Sequence, residues 1–429
     1  MSDSRAASRT ALVFLPGLPL GALDQTAEGL SKRLCNALNL RAAQRQPSFE
    51  LGTPRVLSYG GRCRAEVQPI LRREGDEQVS AEIEVVVLPY FPSLTREFTT
   101  CPTWQKMLRL SMAMLGSLPA LGRALVSGRR AKVMPIIAAG GVFALLGFYF
   151  LFLATTVAIT LLSALPSLSE TIDAPEFAHL RLSSFVPAWL LANAATLLAF
   201  MTAAQALAGR LVPEAKRTAF ADAATAYLSM IEYMSGGSGR AEVTTHLQSF
   251  LESLHDDGGG YNEVHVIGYS FGAVVALDSL FPTGSSAYQP PPVMRCVKTL
   301  ATIGCPFDAF SAFWPAHFRS RVALPDAPAR WINVNIQSDP LGSAFEGVGL
   351  GLATHGTRRP DDSVEGAEWG QVSTLGLSAL LFQLGQLRSH SQYWYESAQA
   401  RSCFDPLVSR LLAQHPVLSG GETSAVAAE

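Results

Sequence analysis

The chain has 429 residues, 48% of them hydrophobic and only 16% charged, with a formal net charge of −2 and a mean hydropathy of +0.21. That length implies a core with an insertion or a second module. The charge balance gives no reason to expect nucleic acid, and the low charge with positive hydropathy points to some of the chain facing lipid.

Six cysteines (Cys35, Cys63, Cys101, Cys296, Cys305, Cys403) lack C-x-x-C spacing. They read as free thiols in a reducing compartment, not as a disulfide frame or zinc site. Ala11 to Leu15, ALVFL, is an apolar strand candidate, and Pro16-Gly17-Leu18-Pro19 turns the chain after it. The N-terminal MSDSRAASRT is polar and the apolar run is short, which does not fit a secretory signal. Thr26 to Leu40 carries Leu30, Leu34, Ala37 and Leu38 at helical spacing. Arg55 to Tyr59 is a second strand candidate, and Ala81 to Pro89, AEIEVVVLP, a stronger one. Strands separated by helical stretches predict an α/β architecture, a mainly parallel sheet with helices on both faces.

From Thr103 the pattern changes. Met107, Leu108, Leu110, Met112, Met114 and Leu115 form a helical stretch ending in the basic Arg123, Arg129, Arg130 and Lys132, readable as a core helix or a membrane-surface helix. Val133 to Ser169 then runs without a charged residue, and so does Leu182 to Gly209. Each exceeds the ~20 residues that cross a bilayer. Two transmembrane helices are therefore expected, at about residues 135–156 and 185–209. Arg210, Lys216 and Arg217 follow the second run, and the loop between the runs carries Glu170, Asp173, Glu176 and Arg181. Basic outer flanks put both outer ends in the cytoplasm and the loop outside. Two buried helices of a large soluble core are the alternative.

After Lys216 soluble character returns. Phe220 to Met234 and Glu242 to His255 read as helices joined by the turn SGGSGR, Ser235–Arg240, and DDGGG, Asp256–Gly260, closes the second. Val264 to Ile267 reads as a buried strand and Ala273 to Leu280 as an apolar helix. Between them Gly268, Ser270 and Gly272 form G-x-S-x-G. Strand, sharp turn, helix is the setting in which this pattern is a nucleophile elbow. The turn exposes the serine Oγ at the end of the sheet and aims the Phe271 N–H where an oxyanion would form, while the two glycines let strand and helix approach. An incidental serine in a tight turn is the plainer reading of the five residues alone. Val297 to Ile303 and Arg330 to Ile336 are further strand candidates. Leu341 to Glu368 is Gly-rich and irregular, a lid or a loop without structure, and Ser419 to Glu429 is a small-residue tail.

A serine nucleophile needs a base, and the base needs an acid to orient it. With acid and histidine following the serine in order, Asp339 fits the acid, standing just past a strand with Pro340 behind it. Asp308, after the preceding strand, is the weaker rival. Asp278 lies about two helical turns beyond Ser270, too far to reach the base, and reads as structural. His390, in LRSHSQYW near the C-terminus, fits the base, with His355 in the Gly-rich loop as rival. His265 sits on the nucleophile strand itself, and His317 and His415 have no supporting context. Cys305, at a strand end before proline with no base beside it, reads as a packed thiol. The sequence has no internal repeat, phosphate-binding loop or H-x-x-x-H pair, so no cofactor and no metal is expected.

Five segments in order resemble the α/β-hydrolases of the serine esterase/lipase type. VFLPG (Val13–Gly17), VIGYSFGA (Val266–Ala273), TIGCP (Thr302–Pro306), WINVNIQSDP (Trp331–Pro340) and HSQYW (His390–Trp394) are similar to that family's oxyanion strand-loop, elbow, post-nucleophile strand, acid turn and histidine loop. They bracket nearly the whole chain. Two positions depart from the family: Pro16-Gly17 stands where His-Gly is frequent, and Tyr269 where a histidine commonly precedes the nucleophile. The resemblance implies an α/β-hydrolase fold, a Ser270–His390–Asp339 triad, and the Leu18 N–H as oxyanion donor beside that of Phe271.

These readings divide the chain into an N-terminal part of the hydrolase domain (1–102), a membrane insertion (103–217), a C-terminal catalytic part (218–418) and a flexible tail (419–429). The expected activity is that of a membrane-anchored serine hydrolase, cleaving an ester of a lipid or acyl chain through an acyl-enzyme. Its partners would be the bilayer and that substrate, without nucleic acid. Amide or thioester cleavage and acyl transfer use the same residues. A catalytically silent membrane scaffold that keeps the fold as a binding module is the alternative.

Overall fold

The structure is a computed structural model that describes residues 9–18, 25–42, 48–60, 63–74, 77–102, 214–256, 261–281, 296–314, 330–336, 341–345, 360–365 and 402–412. It also describes residues 105, 106, 108–110, 112, 113, 116, 119, 122, 317, 339, 390 and 392–394. The expected spans at about 135–156 and 185–209 and the tail 419–429 lie outside these residues. Among the described residues no helix is long and apolar enough to cross a membrane. The chain divides into two compact units, Met1–Arg96 with Pro119–Ala138 and Ser229–Glu429, and Glu97–Leu118 with Ala139–Leu228.

The first unit is α/β, built on a mixed, mostly parallel sheet. Its strands are β1 (Arg9–Leu15), β2 (Ser48–Leu51), β3 (Arg55–Tyr59), β4 (Cys63–Glu74), β5 (Glu77–Val87), β6 (Tyr261–Tyr269), β7 (Val297–Ile303), β8 (Arg330–Asn335) and β9 (Asp362–Glu365). They run in the order β2-β4-β5-β1-β6-β7-β8-β9, with β3 also paired to β4. From β5 through β1 to β9 the neighbours are parallel, while β2, β3 and β5 are antiparallel to β4. β1, β6, β7 and β8 are short apolar runs because a central parallel strand is covered on both faces. One face presents Leu12, Phe14, Ile267, Ile303 and Val334. Helix α1 (Ala27–Ala42) covers it through Leu30, Leu34 and Leu38, the stripe of the helical spacing. A C-terminal helix (Phe404–Leu411) adds Phe404, Leu407 and Val408 to the same layer.

The chain then forms α2 (Phe91–Thr99), α3 (Glu214–Met234), α4 (Ser238–Asp256), α5 (Phe271–Leu280), α6 (Phe307–Phe313) and α7, the C-terminal helix. α5 lies against β6, β1 and β7 on the other face with α4 behind it. All 10 of its residues are buried. Burying each Val, Leu or Phe there contributes roughly 1.5–3 kcal/mol, which is why so apolar a segment sits at the centre.

Several boundaries differ from the sequence reading. The turn Ser235–Arg240 is shorter than expected, since α4 already begins at Ser238. The N–H of Ser235 donates to Ile231 O at 2.9 Å and that of Gly237 to Glu232 O at 3.0 Å, with Gly236 at φ 84°, so a compact C-cap ends α3. The Leu341–Glu368 stretch is not wholly irregular, because it holds β9. Asp361 seeds that strand: its carboxylate accepts the Trp331 N–H at 2.7 Å and its own N–H donates to Trp331 O at 2.8 Å. In the second unit, Leu110 packs with Phe98, Ala224 and Leu228, whereas Leu108 and Met112 are exposed.

Candidate active site

β6 runs straight into α5 through a single residue, Ser270, whose backbone stands at φ 53°, ψ −123°. Such a conformation costs a non-glycine residue of order 1–3 kcal/mol and persists only where its surroundings enforce it. Here the Ser270 N–H donates to Ile303 O at 2.8 Å and the Ala273 N–H to Ser270 O at 3.0 Å. The flanking glycines are steric requirements. A Cβ at Gly268 would lie 2.5 Å from Ala273 Cα, and one at Gly272 only 2.2 Å from Leu15 O. The start of α5 is thus pressed on the ends of both β6 and β1.

The loop after β1 passes directly beside the serine, since a Cβ at Gly17 would come within 2.9 Å of Ser270 Cβ. Tyr90 Oη donates to Pro16 O at 2.6 Å, and Gln25 Oε1 accepts the Gly17 N–H at 2.7 Å. With the Gly17 N–H engaged, Leu18 carries the next amide along this loop. Phe271 opens α5, where an N–H has no intrahelical acceptor.

The structure brings Asp339 and His390 to this serine. Asp339 is buried just beyond β8, with its N–H on Ile336 O at 3.0 Å. Its Oδ1 accepts the Leu341 N–H at 2.9 Å, and its Oδ2 accepts both Tyr393 Oη and His390 Nδ1 at 2.8 Å. His390 Nε2 lies 2.7 Å from Ser270 Oγ. A carboxylate only accepts, so Nδ1 carries the ring proton and Nε2 presents its lone pair to the serine hydroxyl. The arrangement can therefore polarise the serine O–H and support an imidazolium once the proton moves.

The rival residues stand elsewhere in the fold or lie outside the described residues. Asp308 lies in the first turn of α6, where its N–H donates to Ser343 Oγ at 2.7 Å. Asp278 faces His317 Nε2 at 2.9 Å and Arg240 Nε at 3.5 Å behind α5. His265 is buried on β6 with Glu263 Oε2 3.6 Å from its Nε2. Cys305 is fully buried. His355 and His415 fall outside the described residues, among which no group of three His, Cys, Asp or Glu could hold a metal ion.

Two tyrosines join the site to which the sequence assigned no role there, Tyr269 having stood out only as a departure from the family and Tyr393 only within HSQYW. Tyr269 Oη donates to His390 O at 2.6 Å and its ring stacks on the imidazole, with centroids 5.4 Å apart. Tyr393 touches Asp339 directly. Burial, and then the Asp339 charge, push both phenols well above their ordinary range, so both act as donors. The only signal was aromatic, one tyrosine on either side of the pair in GYSFG and HSQYW. No protein-family profile, no curated protein and no solved structure matches the chain.

Proposed function

We propose that this chain is a serine hydrolase of the α/β-hydrolase class. Ser270 Oγ attacks a carbonyl carbon while His390 Nε2 takes its proton, and Asp339 holds the imidazole in the required tautomer. The N–H groups of Phe271 and Leu18 stabilise the tetrahedral oxyanion. Collapse of that intermediate expels the leaving group, protonated by His390, and leaves an acyl-Ser270. Water, deprotonated by the same histidine, then releases the acid and restores the serine. The observation that carries this reading is one imidazole spanning Ser270 Oγ at 2.7 Å and Asp339 Oδ2 at 2.8 Å. The test is labelling with a fluorophosphonate. Stoichiometric labelling that disappears in Ser270→Ala supports the hydrolase, and a folded chain that takes no label is instead the silent scaffold.

The favoured substrate is an ester of a lipid or acyl chain, cleaved beside a bilayer. Its support is the pair of charge-free runs, Val133–Ser169 and Leu182–Gly209, with their basic flanks. β1 and β6 are neighbours in one sheet, with Leu15 opposite Gly268, so whatever joins β5 to β6 begins and ends on one side of any membrane. A two-span hairpin meets that condition, with the hydrolase facing the cytoplasm and the Ser169–Arg181 stretch outside. On a background without native cysteines, a cysteine replacing Glu170 should react with an impermeant reagent applied to intact cells, and one replacing Ser238 should not. Equal protection of both removes the hairpin.

A further inference from the structure

We propose that Tyr393 is a positioning residue that sets the proton affinity of His390 through Asp339, an inference that rests on the serine hydrolase reading and deepens it. Tyr393 lies in the short 3-10 helix Gln392–Trp394, fully buried. Its Oη accepts the Ile336 N–H at 3.0 Å and donates to Asp339 Oδ2 at 2.8 Å. Because the backbone amide occupies the acceptor side, the single phenolic hydrogen is directed at the carboxylate. Two glycines leave room for the ring at this place. A Cβ at Gly304 would lie 2.7 Å from Tyr393 Cε2, and one at Gly342 would lie 2.8 Å from Tyr393 Oη and from Asp339 Oδ2, so both positions are kept free of side-chain atoms for this contact.

Oδ2 is the same oxygen that accepts the His390 Nδ1 proton. A second donor there draws charge away from the imidazole and weakens the attraction that favours the imidazolium. Tyr393 thereby holds the base neutral to lower pH than a His–Asp pair alone would. The described titratable groups about the pair are Tyr393, Tyr269 and, beside Tyr269, Cys403. Tyr269 is the internal contrast. Its hydroxyl donates to the backbone carbonyl of His390 and its ring stacks on the imidazole, so it meets Asp339 through charge and not through a hydrogen bond given to the carboxylate.

The experiment measures the second-order rate of fluorophosphonate labelling of Ser270 from about pH 5 to 9, in the full chain, for wild type, Tyr393→Phe and Tyr269→Phe. Tyr393→Phe should label roughly 10-fold more slowly, the worth of one hydrogen bond, and its acid-side midpoint should rise by about 0.5 to 1 pH unit. Tyr269→Phe should slow labelling with the wild-type midpoint. If Tyr393→Phe fails to fold, 3-fluorotyrosine at position 393 replaces it; this stronger donor of nearly the same size should move the midpoint down. A midpoint unmoved in the variant measured reduces Tyr393 to packing and overturns the proposal alone. A folded wild-type chain that takes no label overturns the hydrolase reading and this role with it.

Discussion

Among the described residues two histidine–aspartate pairs are buried in the first unit, and they differ in what the second ring nitrogen meets. His390 meets Asp339 at 2.8 Å and His317 meets Asp278 at 2.9 Å, so the pairs are alike in composition and distance. They differ at the other ring nitrogen. His390 presents Nε2 to a hydroxyl, Ser270 Oγ, and its side chain keeps 13% exposure. His317 presents Nδ1 to a carbonyl, Met234 O at 3.2 Å, and is only 1% exposed. Two acceptors leave no lone pair facing a proton donor, so that imidazole bridges α5 to the end of α3. A buried carboxylate beside a histidine is therefore not a catalytic signature; the group on the far nitrogen decides.

The largest effects should separate the pairs by function. His390→Ala and Ser270→Ala should each lower kcat by roughly 10³-fold or more, and the double variant should lose little beyond either alone. Turnover and single-site labelling measure this. Full activity in His390→Ala breaks the comparison and turns attention to His355. His317→Ala should do the reverse. It leaves the Asp278 carboxylate buried with one partner fewer, so stability should fall by about 3–5 kcal/mol in denaturant unfolding. The labelling rate per folded molecule should stay within about 2-fold of wild type, well under the 1.4 kcal/mol of a tenfold change. A His317→Ala chain of wild-type stability that no longer labels would place that pair in the reaction.

The contrast also explains what could be read from the sequence. Ser270, Asp339 and His390 were legible because each stands just past a strand or at a chain turn in a fixed order, and the apolar runs before them are plain. The His317–Asp278 pair was not, since it joins residues 39 apart through packing of α5 that no local pattern encodes. β4 was missed for a different reason. Its residues alternate exposed and buried from Arg64 to Val67, but Arg64, Glu66, Arg72, Arg73 and Glu74 make it read as solvated, and Pro69 argues against a strand. The proline is accommodated because its carbonyl accepts the Gly52 N–H at 2.9 Å. In an antiparallel strand the N–H and C=O of one residue point to the same side, so its missing donor falls at the break between β2 and β3. β9 escaped because in four residues, DSVE, Val364 is the one apolar side chain packed on the core.

The smallest expected effect lies where β1 and β6 begin, at the other end of the sheet from Ser270, and it adds a third buried carboxylate to the comparison. Among the described residues Glu84 meets two arginines and a tyrosine in place of a histidine. Its Oε1 accepts Arg9 Nη2 at 2.8 Å, and its Oε2 accepts Arg55 Nη2 at 2.6 Å and the Tyr261 hydroxyl. Burial works to raise the Glu84 carboxyl, but the hydrogen bonds from Tyr261, Arg9 and Arg55 more than offset it and hold it below its ordinary value. Burial, then the bond to Glu84, push the Tyr261 phenol up to about 12, so it stays a donor through neutral pH. A carboxyl lowered on folding contributes stability that is fully present above the unfolded value, ~4.3, and is lost as pH falls through the folded one. Both arginines are partly exposed, at 33% and 42%, so solvent screening discounts their share. Glu84→Gln should therefore cost about 1–2 kcal/mol near pH 7, less than the loss of a desolvated pair. The gap to wild type should close as unfolding is measured from pH 5 down to about 3. The labelling rate of Ser270 should not change, because the site that Asp339 serves takes its hydrogen bonds at the far ends of the strands. A gap that stays constant through the acid range would mean Glu84 contributes shape and packing rather than charge, which would set it apart from Asp339 and Asp278 altogether.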